Sequence, residues 1–163
     1  EYREDPVIFP DDYTPAIPDA ELVLVDMIQP LLDQIDPQGY AGTWWPSDAP
    51  NDTATMAAAG KAVVRVHKTP GVLLLDGLMH LTESTVEVLT ARRADSWAVM
   101  QYLQDLLTLN FEHGGIVDRA DGSRTAVKSF SVSATGQQLE FLNPDDRLVQ
   151  ETFQLAFKRN LRK

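Results

Sequence analysis

The sequence predicts an α+β fold, a single domain in which a mostly antiparallel or mixed β-sheet of about five strands carries two main helices on one face. Three observations point to it. Residues 20–35 and a stretch from about Ala94 to Asn110 repeat apolar side chains at helical spacing. Several shorter stretches alternate apolar and polar residues, as strands with one buried face do. The turn chemistry between them is short enough for hairpins. A chain of 163 residues suits one such core.

Residues 1–18 hold Pro6, Pro10, Pro15 and Pro18 among acidic residues, so no helix runs through them. They read as an extended arm. Its Val7, Ile8, Phe9 and Tyr13 leave two readings open, a disordered tail or a strap pinned to a neighbour. The single domain then covers residues 19–163. Asp19 is placed to cap a helix over 20–35, where Leu24, Ile28, Leu31 and Ile35 recur, with Val25 and Leu32 on the same side. Pro30 predicts a kink or break within it.

Residues 36–60 read as a long loop, with Pro37, Gly39, Gly42, Pro46 and Pro50 among small polar residues. Long ordered loops tend to carry binding surfaces. In its middle, Trp44 and Trp45 point to opposite sides of an extended segment, so one indole can enter the core while the other faces out; either both merely anchor the loop or the outward one meets a partner, which makes the pair a candidate interface. The strand at 62–67 sets Val64 and Val66 against Arg65 and His67, two further candidate interface residues. Thr69, Pro70 and Gly71 predict a turn, 72–75 a second strand, and Asp76 with Gly77 a break before an apolar stretch of ambiguous type.

Residues 86–91 predict another strand. It leads into an amphipathic helix through Val99, Met100, Leu103, Leu106, Leu107 and Asn110, favoured at its start by Asp95 and stopped by Gly114 and Gly115. Residues 118–123 form a turn signal around Asp121 and Gly122. In 126–134, Phe130, Val132 and Ala134 oppose Ser129, Ser131 and Ser133, and Gly136 and Gln137 predict the next turn. The final strand sets Val149, Phe153, Leu155 and Phe157 against Gln150, Thr152, Gln154 and Lys158. A basic tip follows, from which Arg159 and Arg162 complete the candidate interface set.

The formal net charge of −10 argues against a general nucleic-acid binder, whose phosphate contacts need Lys and Arg. The charge is segregated. The first 60 residues hold twelve acidic residues and one basic one, whereas the remainder holds 12 acidic and 13 basic. Cysteine is absent, which removes disulfides, thiolate metal sites and a Cys nucleophile. No apolar run approaches a membrane span, so no membrane partner is expected.

Chemistry-bearing motifs fail on spacing. Gly60 and Lys61 imitate the end of a phosphate loop, but Thr55 stands where the first glycine belongs, Ala62 follows the lysine, and a strand comes next instead of a helix. His67, His80 and His113 have no partner at metal-ligand spacing. No G-x-S-x-G elbow exists, and a turn accounts for Asp118 and Asp121. We therefore expect no catalytic, cofactor or metal site, which favours a binding or structural protein.

The order of elements resembles the tail-terminator proteins of long-tailed, siphovirus-type bacteriophages. The resemblance rests on PDAELVLVDMIQPLL at 18–32, AVVRVH at 62–67, STVEVLTARRADSWAVMQYLQDLL at 84–107 and the closing RLVQETFQLAFKRN, and spans about residues 18–159. It implies a structural protein of the virion tail, at its neck end, assembled in the host cytoplasm. It also implies a homo-oligomeric, hexameric ring that caps the tail tube, halts polymerisation of the tail tube protein and meets the head-to-tail connector or stopper. DNA would pass through the lumen without specific binding, and no catalysis is involved. The Trp-bearing loop and the Pro-rich arm depart from the family pattern. Segregated charge could set the register between subunits; alternatively Asp26, Asp33 and Asp36 line the lumen, where like charge keeps DNA from sticking. Two other readings remain at this point: another neck or tail-tube component of the same particle, or a small hydrolase or ligand-binding enzyme pairing Asp76 or Asp118 with a histidine.

Overall fold

The computed structural model describes residues 7–75, 79–134 and 147–158. Asp19 opens the first helix as expected, its side chain accepting hydrogen bonds from the amides of Glu21 (3.0 Å) and Leu22 (3.5 Å). This helix, α1, runs Ala20–Leu32 and ends short of the Ile35 boundary the periodicity suggests. Pro30 lies in its last turn, where it removes one amide donor, and the helix stops two residues later.

The connection over 36–60, expected as loop throughout, contains two regular elements. The strand β1 (Tyr40–Gly42) lies parallel to β2 (Val63–Leu75) and is held from its other side by Gln29. The Gln29 Oε1 accepts from the Ala41 amide at 2.8 Å, and its Nε2 donates to the Gly39 carbonyl at 3.2 Å. The short helix α2 (Thr53–Ala58) is capped by Asp52, which accepts from the Thr55 amide and hydroxyl. Those bonds, the hydroxyl first, hold the Asp52 carboxyl below the ordinary aspartate range. Gly60 ends α2 at φ +80°, a left-handed backbone that lets Gly60 N–H reach Ala57 O and Lys61 N–H reach Met56 O.

The turn expected at Thr69–Gly71 does not break β2. The chain passes through it in strand conformation, and the pairing with β3 (Met79–Leu89) shifts register between Lys68 and Val72, an irregularity that admits a proline. The ambiguous apolar stretch is the first half of β3. The break expected at Asp76 and Gly77 lies outside the described residues.

The helix α3 (Arg93–Phe111) starts without a side-chain bond from its N-cap, Arg92. Its entry is set instead by buried Thr90 and Ser96: the Ser96 Oγ accepts from the Thr90 amide at 3.1 Å, and the Thr90 hydroxyl donates to the Arg92 carbonyl at 2.6 Å. Asn110, expected on the apolar face, is exposed. The hairpin of β4 (Gly115–Asp118) and β5 (Arg124–Val127) forms its own two-stranded sheet. The single strand expected over 126–134 therefore splits. The Lys128 amide donates to the Ala156 carbonyl at 2.8 Å, and β6 (Ser129–Ala134) joins the main sheet beside β7 (Val149–Lys158). The turn expected at Gly136 and Gln137 lies outside the described residues.

The main sheet has the order β1-β2-β3-β7-β6 and is antiparallel except where β1 meets β2. Its register puts Val64, Val66, Val86, Val88, Val149, Phe153, Leu155 and Phe130 on one face, and α1 and α3 cover that face with Leu24, Ile28, Leu103 and Leu107. Phe130 and Phe153 meet edge to face with centroids 5.1 Å apart. Glu151, also buried, shares the apolar parity of the final strand.

Candidate functional site

Residues two apart on a strand share a face, so Arg65 and His67 both point away from the helices. Glu87 stands directly opposite Arg65 in the register, and Thr85 opposite His67. The Arg65 Nε lies 2.6 Å from the Glu87 Oε2, and the His67 Nδ1 lies 3.9 Å from the same oxygen. The Glu87 side chain is only 10% exposed, so its charge is largely removed from water and depends on Arg65 for compensation. Trp45 lies over the guanidinium, 5.3 Å from ring centroid to Cζ, shielding the pair and adding a cation–π attraction.

Three of the expected interface residues, Trp45, Arg65 and His67, thus come together on one surface. The placement of Trp45 corrects one expectation: neither indole joins the apolar core. Trp45 packs on the outer sheet face because a partly desolvated cation awaits it there, and Trp44 faces solvent, 78% exposed. Around the cluster, the outer face carries Thr85, Gln150, Thr152 and Gln154. Its Val63 end is covered by α2, whose Met56 and Ala57 are buried outside the main core cluster. Arg159 and Arg162 lie outside the described residues.

The three candidate lumen acids have different surroundings. Asp33 and Asp36 are exposed, Asp33 accepting a bond from Gln29 Nε2 at 2.9 Å. Asp26 is mostly covered and bound to Arg119 at 2.6 Å, with side-chain exposures of 15% and 14%. Its charge is therefore compensated within the chain.

Cavities among the described residues show what each could hold. The one of about 460 Å³, between Ile35, Pro37 and Tyr102, carries Asp36 and Asp95 but no histidine. That of about 400 Å³ brings His80 near Asp19 and Glu21, but Asp19 caps α1 and Glu21 accepts from the Lys68 amide at 2.7 Å. Another, of about 220 Å³, is lined by His113, Ile116 and Lys128. Asp118 pairs with Arg124 at 3.0 Å, and Asp76 lies outside the described residues. Among the described residues no group of three or more His, Asp or Glu side chains could hold a metal ion, and no helix is long and apolar enough to cross a membrane.

Glu87 is the residue that sequence reasoning missed. It sits 22 positions from Arg65, and only the strand register reveals the pairing. In comparison with known proteins, the model of a family described as phage tail termination protein matches residues 16–163. No curated protein matches the sequence.

Proposed function

Because this chain belongs to the phage tail termination protein family, we propose that it assembles as a closed ring, six-membered by resemblance to siphovirus terminators, that caps the finished tail tube. The family itself establishes a structural role in the bacteriophage tail. In the proposal the ring stops polymerisation of the tube protein and offers its free surface to the head-to-tail connector, while DNA passes through the lumen. The match over residues 16–163 carries this reading, since it takes in both long helices and every strand of the main sheet.

The geometry supports it. A ring of identical subunits needs two different patches that meet head to tail. The sheet leaves its outer face, with Trp45, Arg65 and His67, available as one of them, exposed Trp44 adjoins Trp45 in the chain, and the basic tip with Arg159 and Arg162 offers a charge opposite to the acidic first third. In this reading the exposed Asp33 and Asp36 would face the lumen, with Asp26 contributing less because Arg119 compensates it. The chain has no catalytic part in this reading and acts at the neck end of the tail, after assembly in the host cytoplasm.

Electron microscopy of the purified chain added to growing tail tubes tests it. Closed rings at one tube end and an arrest of tube growth are expected. Open-ended self-polymers would show a tube component instead and overturn the proposal.

A further inference from the structure

The arm shows four large apolar side chains to solvent within seven residues: Val7 (78% exposed), Ile8 (91%), Phe9 (61%) and Tyr13 (50%). They are not on a loose thread. The Tyr13 amide donates to the Pro10 carbonyl at 2.9 Å, and the Phe9 and Tyr13 rings stack with centroids 5.2 Å apart. This is a preformed aromatic turn, which lowers the ordering cost of docking. Just beyond it the arm is fastened to the body. Ile17 packs on the core, and Pro15, Ile17 and Pro18 line the cavity shared with Lys68 and His80.

The turn is also acidic. Asp11 and Asp12 are exposed within it, and Glu1, Glu4 and Asp5 precede it in the sequence. Its receptor must be apolar and positive. The cavity beside Ile35 presents Asp36 and Asp95 and would repel it, and the one beside His80 is already lined by this chain's own arm. Another is lined by His113, Lys128, Ile116 and Ala126, with no carboxylate among its lining residues. Ile116 is 52% exposed, an apolar contact awaiting cover. Its floor is backbone: Gly114 has φ +91°, and a Cβ there would come 2.8 Å from the Lys128 carbonyl, so glycine lets the 114 and 127–128 backbones close together beneath the groove.

We propose that the aromatic turn at 7–13 of one copy docks in the groove formed by 113–116 and 126–128 of the next copy. The contact joins two different patches and so propagates around a ring; in this sense it rests on the ring reading and specifies one of its subunit contacts.

The test replaces Phe9 in the full chain with the photo-crosslinker benzoylphenylalanine and mixes it with a heavy-isotope copy, so that products between chains differ in mass. Irradiation of free rings and of capped tubes is expected to give an inter-chain crosslink to the groove residues. Ile116→Asp should reduce its yield about tenfold, the response to losing one apolar anchor. Lys128→Glu should weaken it, and Asp11→Lys with Asp12→Lys should restore it. Both groove positions are at the surface, and circular dichroism checks that the variants fold. Crosslinks within one chain, to the tube protein or elsewhere on the next copy would overturn the proposal, as would a yield indifferent to Ile116→Asp. Tube capping with a misplaced crosslink refutes the arm contact alone. The expected crosslink without capping refutes termination alone.

Discussion

The two faces of the main sheet come from the same strands and have opposite character. On the helix side, β2, β3 and β7 contribute Val64, Val66, Val86, Val88 and Phe153, sealed by α1 and α3. On the other side the same strands contribute Arg65, His67, Thr85, Glu87 and Thr152, with Trp45 laid over the cation. The first face makes the fold, because burying apolar area is its main stabilisation. The second carries charged and polar groups, among which Arg65 and Glu87 compensate each other. On the proposed reading, stability and recognition are divided between the two faces of one sheet.

Substitutions on each face can break or sharpen this division. The largest effect is expected from Phe153→Ala, which empties a fully buried site against Phe130 and should cost about 3–5 kcal/mol in denaturant unfolding. Glu87→Gln on the outer face leaves the Arg65 guanidinium beside a neutral group, and a loss of about 1.5–3 kcal/mol is expected by the same measurement. A cost as large as that of Phe153→Ala would mean that the outer face is core in all but composition. The smallest effect belongs to Trp44→Ala, expected to change stability by under about 0.5 kcal/mol while reducing tube-end binding. Unchanged binding would remove Trp44 from the contact surface.

What the sequence made legible followed from local repetition. Both long helices and the two-faced strands show their periods in a single stretch of chain, and Asp19 announces its helix through its own side chain. What it hid depends on distant partners. The strand β1 has three residues, too few for a pattern, and exists because β2 lies on one side and Gln29 on the other. The helix α2 did carry a readable cue, since Asp52 precedes Thr55 by the spacing of an N-cap. The split at Lys128 follows from a bond to Ala156, which periodicity cannot express. At the candidate site, Arg65 and His67 could be placed on a polar face from alternation alone. Their shared neighbour Glu87 and the Asp26–Arg119 pair, 93 positions apart, needed the register and the packing.

The Gln29 side chain has a consequence for growth. A strand at the border of a sheet is a template on which another chain can add by backbone pairing. At β1 the outward Gly39 carbonyl and Ala41 amide are occupied by a side-chain amide from the chain's own first helix. A fibre built by strand addition needs every subunit to give one border and receive at the other. With the Gly39 carbonyl and Ala41 amide answered from within, head-to-tail strand addition through this sheet finds no receiving border at β1.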